Sequence, residues 1–585
     1  MSHGRHLTGR QRPDKALRTL PLSRSQHTPL CTAAFAAFSV LASPAVAFAQ
    51  ATPTEPPAAS PPASTSEVQA APSARALEKN EQTEATAPGA VKVDNSPVGD
   101  DSHPLAGYHN GIFYLRDPHD NFNLFVQGRA QIDFYSYAGS GVSNTALKPT
   151  LFLRRIRPEI TGDFLGHFRF MLAGDFGATG IDNPRGTNET SAAAPGAQPG
   201  ASTARFAAAE ATRFSAAATD VFLVYYQNSL LNVQVGQFDA PFTMENRTSD
   251  KYIPFMERSL AVRAVGIPSN KEIGGMVFGE TKNRVWYYSA GLFNGDGQNR
   301  PNVDSRGDLY ARTFVKPLAG SGIKTPIKDA QIGGSFHYGS RDPKWVEYDY
   351  APMITQAAWQ FWSPVYNGSK GPTHVIPSGN QFGVAGELRI PVDRFDFTGE
   401  VVWIDNNTRE AVEGFQATNN ERFGDIHGIS YYAQVGYWPF GQRDITGLPG
   451  YETPPRIDWS KPDAAIAPRA LQLLAKWEQV SLNYQSASRA GTPDSKNIDG
   501  DIRANALSFG ANYWASRHIR LSLNYVVNMF PDSAPASPSS PGGPVQTSNN
   551  RAVAPGNTIP VGVDNEARNN AHTLHEILMR FAVAL

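Results

Sequence analysis

Basic residues are concentrated in two stretches of the chain, one at residues 154–169 and one at residues 247–258. Arginine keeps its charge at every physiological pH, and its planar side chain offers paired N–H donors that can replace the water a phosphate or sulfate ion loses. Several spaced cations would hold such an ion weakly enough to let it move on. The candidate anion-binding residues are Arg154, Arg155, Arg157, Arg169, Arg247, Lys251 and Arg258.

Acidic residues accompany both stretches, so a second interpretation stands beside the first. Glu159, Asp163 and Asp175 lie close to the first group of arginines in the sequence. Ladders of opposite charges of this kind brace loops against the inner wall of a barrel. The residue types alone therefore allow either ion contact or bracing.

Other chemistry is not indicated. There is no glycine-rich phosphate loop and no Ser/His/acid set that stands out from chance, so we predict no catalytic residue. His572 and His575 are three apart in a predicted strand, so they face opposite sides and cannot share a metal ion. The one cysteine, Cys31, precedes the predicted mature chain, which excludes a disulfide framework and a cysteine metal site there. We predict no metal and no cofactor.

The composition favours a β protein with one apolar and one wet face. Only 41% of the 585 residues are hydrophobic, yet 21 Tyr, 32 Phe and 9 Trp are present. No apolar run after residue 50 approaches the ~18 residues that a membrane-spanning helix needs. The formal net charge is −1, so there is no basic excess of the kind that nucleic-acid binding requires.

Period-two alternation runs through the chain from about residue 120. In NLFVQGRAQIDFY, Leu124, Val126 and Ile132 share one face, while Arg129 and Asp133 share the other. A soluble sandwich would alternate in the same way, with its polar face outside. The spacing of the strands separates the two possibilities.

Long and short connections alternate between the predicted strands, as they do in outer-membrane barrels. We therefore predict an all-β, transmembrane antiparallel β-barrel of about 16 strands, with both termini on the periplasmic side. The connection at 439–467 is an exception, because it is long where a short turn is expected. The candidate strands are 123–136, 150–164, 167–177, 219–228, 231–238, 272–282, 284–294, 307–318, 329–341, 380–391, 394–405, 427–438, 468–480, 502–514, 518–530 and 573–585.

One long connection, at 239–271, is unusually charged and has strand-like runs on both sides. We predict that it folds into the lumen as a constriction loop, because such a segment suits a pore lining better than a packed core.

The first 104 residues are predicted to lie outside the barrel. Residues 1–49 read as a signal peptide, with a basic start, an apolar run and Ala47-Phe48-Ala49 before the cleavage point. Residues 50–104 are rich in Ala, Pro and Ser, and we expect a disordered periplasmic segment. Residues 105–585 form the predicted barrel.

Several of these stretches resemble the phosphate-selective porin O and P family. The resemblance is carried by LFLRRIRPEITGDFLGHFRFMLAGDFG, by VQVGQFDAPFTMENRTSDKYIPFMERS with the following EIGGMVFGE and YYSAGLFNGDG, and by NALSFGANYWASRHIRLSLNYV with the final MRFAVAL. It implies a sixteen-stranded homotrimeric barrel in the outer membrane of a Gram-negative bacterium, in contact with outer-membrane lipid. It also implies passive passage of small anions, possibly phosphate.

The same resemblance assigns roles to three of the arginines. The family's arginine pair on the second strand matches Arg154 and Arg155, and its loop arginine matches Arg258. On that match we favour ion contact for Arg155 and Arg258, and bracing for Arg157 and Arg169. Lys251 is near the family's loop lysine but not at a matching position.

Two alternatives remain open at this stage. The chain could be a general or sugar porin without anion selectivity, or, less well supported, a barrel that carries an enzyme or adhesin.

Arg154 conflicts with strict alternation, which would place it on the lipid face with Phe152 and Ile156. An arginine there costs about 2–4 kcal/mol at the membrane midplane. We expect either a bulge that turns the side chain inward or a position near the membrane surface.

Overall fold

In the computed structural model, sixteen antiparallel strands form a closed barrel. Each strand pairs with the next along the wall, and the last pairs with the first, His575 opposite Ala138 and Ala584 opposite Arg129. The structure describes residues 104–109, 112–138, 149–177, 217–265, 270–357, 360–362, 364–368, 371–412, 422–441, 443, 450, 469–488, 498–530 and 573–585.

Twenty-one strands are present in the described residues, and sixteen of them make the wall. The wall consists of β3 to β11 and β15 to β21, which confirms all sixteen predicted strands. The bounds are β1 Ala106–His109, β2 Ile112–Arg116, β3 Phe122–Ala138, β4 Thr150–Phe164, β5 Phe168–Asp175, β6 Ala217–Tyr226, β7 Asn232–Asp239, β8 Lys271–Glu280, β9 Trp286–Phe293, β10 Asp308–Val315, β11 Gln331–Arg341, β12 Met353–Ile354, β13 Gln360–Trp362, β14 Val365–Gly368, β15 Gly371–Val392, β16 Phe395–Val412, β17 Arg422–Phe440, β18 Ala470–Ser488, β19 Ile498–Ser516, β20 Ile519–Met529 and β21 Thr573–Ala584.

The wall has an apolar outside and a polar inside, as the alternation predicts. On β3, Ile132 is exposed on the outer face, whereas Gln131 and Asp133 are buried on the inner face. β20 repeats the pattern, with Leu521 exposed outside and Arg520 buried inside. An apolar outer face surrounding a polar interior is the arrangement of a membrane barrel.

The two ends of the barrel differ in their connections. At one end, called here the short-turn end, β4 and β5 are joined through Leu165 and Gly166, which both have positive φ angles of 51° and 68°. Asp393 (φ 46°) lies in the equally short connection from β15 to β16. The other end carries the long connections and is called the long-loop end.

Strand length varies around the wall. β15 has 22 residues and β16 to β19 have 18 or 19 each, while β9 and β10 have only 8. The sequence prediction made four of the long strands too short: it ended two too early, at 405 and 480, and began two too late, at 380 and 502, where many residues are polar and alternate weakly. In the structure these residues continue the strands at the long-loop end.

Two connections at the long-loop end fold into the barrel. The first runs from β7 to β8 and is the predicted inward loop; it includes a short helix, α1 (Leu260–Val265). The second leads from β11 to β15 and carries the β12–β13 hairpin. From the sequence, the second was predicted only as one of the long connections, at 342–378.

Three smaller features complete the described fold. β1 and β2 form a hairpin that pairs with β3, β14 pairs with the start of β15, and a 3₁₀ turn spans Pro326–Asp329. No helix among the described residues is long and apolar enough to cross a membrane. The predicted signal peptide (1–49), most of the predicted disordered segment (50–104) and most of 439–467 lie outside the described residues.

Candidate functional site

A bulge in β4 brings both members of the arginine pair into the barrel. Opposite β3, Gln131 pairs with Arg155 and Ile132 with Leu153, so Arg154 is the extra residue. The side chains of Arg154 and Arg155 are both fully buried. The bulge is one of the two outcomes expected for Arg154. Phe152, however, also points inward, where its ring meets Tyr135 edge-on at 5.0 Å.

Glu257 of the inward loop binds this arginine pair. Its carboxylate accepts two hydrogen bonds from Arg154, at 2.9 Å each, and one at 3.2 Å from Nη2 of Arg155. Arg580 on β21 donates to the same carboxylate at 2.8 Å and holds Asp133 with two further bonds of 2.7 Å. One loop carboxylate therefore joins three wall arginines from two strands.

Asp250 forms a second centre in the same loop. Its carboxylate pairs with Arg155 at 2.9 Å, with Arg157 at 2.9 Å, and with Arg129. Burial raises the pKa of the Asp250 carboxyl, but the charges of Arg129, Arg157 and Arg155 outweigh burial and hold that pKa well below its usual range. Asp250 therefore stays ionised throughout the physiological pH range.

Lys251 and Arg157 extend the network to neighbouring wall acids. Nζ of Lys251 lies 2.6 Å from Oε2 of Glu159, and Nε of Arg157 lies 2.5 Å from Oδ2 of Asp175. Both basic residues thus have wall carboxylates as partners, in keeping with the bracing interpretation of this part of the site.

The three remaining candidates donate hydrogen bonds to groups other than Glu257 and Asp250. Arg258 donates to the carbonyl oxygens of Glu245 (3.3 Å), Asn246 (3.4 Å) and Thr248 (3.0 Å), all within its own loop. Arg169 pairs with Asp163 through bonds of 2.6 and 2.8 Å near the short-turn end. Arg247 donates to the carbonyl oxygen of Asp239 at the start of the loop.

The network carries more positive than negative charge. It contains eight basic and five acidic side chains, a net charge of +3 when all are ionised. Three of its basic members and both loop carboxylates were not among the predicted site residues. The basic residues are Arg129, Arg154, Arg155, Arg157, Lys251, Arg258, Arg520 and Arg580, and the acidic ones are Asp133, Glu159, Asp175, Asp250 and Glu257.

Comparison with protein families decides what kind of barrel this is. The sequence profile of the family "Phosphate-selective porin O and P" matches residues 125–538, well over half of the chain. The chain belongs to this family. It is therefore an outer-membrane porin, a channel rather than an enzyme.

Solved structures of outer-membrane proteins are similar to this chain at low sequence identity. The porin resembles a loop-deletion mutant of OmpT from Vibrio cholerae (8% identity, 80% of this chain and 100% of that chain covered, TM-score 0.41). It also resembles the channel DcaP of Acinetobacter baumannii (10%, 80% and 98%, 0.39) and an anion-selective porin from Comamonas acidovorans (9%, 79% and 100%, 0.37). No curated protein sequence matches the chain. The family assignment does not depend on these distant likenesses.

Wall glutamates hold the porin's inward loop on the side opposite the arginines. Glu400 on β16 accepts the backbone N–H groups of Met244 and Glu245, the latter at 3.0 Å. Glu478 on β18 accepts the N–H of Leu260 at the start of α1. The loop is thus fixed by basic residues of β3, β4, β20 and β21 on one side and by acidic residues of β16 and β18 on the other.

The second inward connection lies against the same loop. Arg263 of α1 donates to the carbonyl oxygen of Thr355 at 3.1 Å. The next residues reach the far wall, where Gln356 donates to Glu478 at 2.8 Å and the N–H of Ala357 donates to Glu576 at 3.2 Å. Two loops therefore narrow this porin, and sequence reasoning identified one of them.

Gly450 ties the long connection at the short-turn end to the inward loop. Its N–H donates to the Thr248 hydroxyl at 2.8 Å, and its carbonyl oxygen accepts a bond of 2.9 Å from Arg312. Arg312 in turn makes two bonds of 2.8 Å to Glu387. The exceptional connection at 439–467, for which the sequence offered no role, thus contacts the constriction loop through this residue.

Aromatic rings form a row inside the wall of β6 to β11, but they are packed away. Phe222, Phe238, Phe293, Tyr310 and His337 follow one another with ring centroids 4.3–6.0 Å apart. The four Phe and Tyr side chains in this row are at most 4% exposed. Rings this buried stabilise the wall and offer no sliding surface to a sugar. Among the described residues, no group of three His, Cys, Asp or Glu side chains is placed to hold a metal ion.

Proposed function

We propose that this porin lets small hydrophilic solutes diffuse passively across the outer membrane with a preference for anions, phosphate among them. The observation that carries the proposal is the net charge of +3 in the network that joins the constriction loop to β3, β4, β20 and β21. A fixed positive charge lowers the energy of an anion in the passage and raises that of a cation.

Within this proposal the predicted basic residues act in two ways. Arg154 and Arg155 supply a permanent positive field from the wall, and Arg258 supplies it from the loop. Arg157, Lys251, Arg169 and Arg247 brace the protein, through Asp175, Glu159, Asp163 and the Asp239 carbonyl respectively. An anion gains from the field without displacing any ion pair, which keeps binding weak enough for transport.

The setting of the channel is part of the proposal. Residues 1–49 direct export, residues 50–104 are a periplasmic segment, and both termini lie in the periplasm with the short-turn end. Three copies assemble in the outer membrane, with lipid around their outer faces. The family resemblance supports the trimer.

The first test is ion selectivity in a planar bilayer. The purified porin is placed between unequal KCl concentrations, and the sign of the reversal potential is expected to show that chloride crosses more readily than potassium. Clear cation selectivity would contradict the proposed anion preference, but not the conclusion that the barrel is a channel. Added phosphate is expected to reduce the chloride current if phosphate shares the passage.

A pair of variants tests the role of the loop arginine. Arg258→Ala is expected to lower anion preference more than Arg520→Ala, whose wall arginine donates only to the Ile253 carbonyl at 3.2 Å. Equal losses would mean that Arg258 is not at the constriction. Arg258→Lys keeps the positive charge but not the hydrogen bonds to three carbonyl oxygens. It should therefore keep the anion preference that Arg258→Ala loses if the charge determines selectivity.

A further inference from the structure

The wall has a step where its last strand meets its first. β21 ends at Ala584, and the next residue, Leu585, exchanges hydrogen bonds with Gly128 of β3: its N–H donates to the Gly128 oxygen at 2.9 Å, and its oxygen accepts from the Gly128 N–H at 3.3 Å. β3 itself begins six residues earlier, at Phe122. Because β4 occupies the other edge of β3 from Phe122 to Tyr135, the edge beyond Gly128 would be open without another strand. An open edge inside a membrane leaves backbone groups unpaired at a cost of several kcal/mol per group.

The β1–β2 hairpin fills this step. β2 pairs with β3 directly beyond the chain end, Phe113 opposite Val126 and Arg116 opposite Asn123. β1 then pairs with β2, Tyr108 opposite Phe113. The hairpin has an inner face as well, since Tyr114 is buried and its ring crosses Gly107, where an added Cβ would lie 2.7 Å from the Tyr114 hydroxyl.

The outer face of the hairpin continues the apolar surface of the wall without a break. Residues directly opposite one another in paired strands lie on the same face. One such row crosses six strands, and all its members are 40–49% exposed. The row is Tyr108, Phe113, Val126, Ile160, Leu172 and Val221.

We propose that the β1–β2 hairpin is an integral part of the membrane-embedded wall, and that Phe113 and Leu115 contact lipid of the leaflet on the short-turn side. The wall residues of this row face hydrocarbon in a membrane barrel. Because Phe113 lies directly opposite Val126 of the wall, it faces hydrocarbon as well. Tyr108, whose ring lies 5.7 Å from His518 in the β19–β20 turn, has the amphipathic character typical of the membrane surface.

Site-directed spin labelling tests this directly. Cys31, the one cysteine of the sequence, is replaced by serine where the preparation retains it. Single cysteines are then introduced by Phe113→Cys, by Val126→Cys as the wall reference, and by Tyr114→Cys as the inward reference. Each labelled porin is reconstituted into phosphatidylcholine vesicles. Collision of the label with oxygen, which partitions into lipid, is compared with collision with a water-soluble nickel chelate.

The label at position 113 is expected to match that at position 126, with oxygen accessibility within about twofold and low nickel accessibility, while position 114 is poorly accessible to oxygen. High nickel accessibility at 113 would place the hairpin in water and overturn the proposal. Low accessibility to both reagents would show that a second copy of the chain covers this face, which also overturns it. If the Phe113 variant does not fold, Leu115→Cys, opposite Leu124, takes its place.

Discussion

Neutralising Glu257 should make the porin more selective for anions. Glu257→Gln keeps the shape of the side chain but removes the charge shared by Arg154, Arg155 and Arg580. The network around the constriction then rises from a net charge of +3 to +4. Because these three arginines stay on the wall beside the loop, the added positive field acts on the passage itself.

The size of the effect follows from the geometry. A unit charge acting on an ion about 8 Å away in water contributes about 0.5 kcal/mol, and physiological salt reduces this to about 0.2 kcal/mol. Since the change favours an anion and disfavours a cation equally, the anion-to-cation permeability ratio should rise roughly two- to fivefold. The barrel should also lose about 3–5 kcal/mol of stability, because three buried arginines lose a partner.

The assay is the reversal potential in unequal KCl, with the melting of the folded band on a semi-native gel as the stability readout. Asp163→Asn is the matched control, because it removes the same charge from a pair with Arg169 alone, near the short-turn end. Equal shifts in reversal potential for the two variants would refute the idea that Glu257 acts at the constriction. A shift of the Glu257 variant towards cations would refute the electrostatic reasoning itself.

Two further changes probe how the loop is held. Gly450→Ala places a Cβ 2.5 Å from Nη2 of Arg312 and should alter conductance. Gly322→Ala is the matched control, because Gly322 has nearly the same φ (77° against 76°) but nothing lies within 4 Å of the added Cβ. Both variants carry a backbone cost of about 1–2 kcal/mol, but the control should leave conductance unchanged. Glu478→Gln weakens the acceptor for the start of α1 and should raise open-channel current noise, with a stability loss of about 1.5–3 kcal/mol. Glu410→Gln, which affects Arg422 at 2.7 Å on the long strands, should leave the noise unchanged, and equal noise in both would show that Glu478 does not fix the loop.

The strands were predictable because each is a local pattern. Alternation along β3 or β20 is a pattern of neighbouring residues in the sequence. A membrane barrel then places the apolar residues outside and the polar residues inside. The charged inward loop was predictable from its composition and its flanking strands. Strand ends at the long-loop end were not, because polar residues such as those after 405 weaken the alternation.

The partners of the site residues could not be predicted, because they are far apart in the chain. Glu257 and Arg154 are separated by 103 positions, and Arg580 and Asp133 by 447. Such pairs depend on barrel closure and on the register of each strand. The bulge at Arg154 shows the same limit: the sequence indicated a conflict at this position, but only the pairing of β3 with β4 shows how it is resolved.

The unequal strand lengths make the mouth at the long-loop end lopsided. At a tilt of ~45°, the 22 residues of β15 rise about 50 Å, against about 19 Å for the 8 residues of β9 and an apolar band of about 25 Å. Among the described residues, hydrogen-bonded sheet therefore extends further from the membrane along β15 to β19 than along β5 to β10. A bulky particle that approaches this mouth would meet a rigid wall of sheet on the side of β15 to β19.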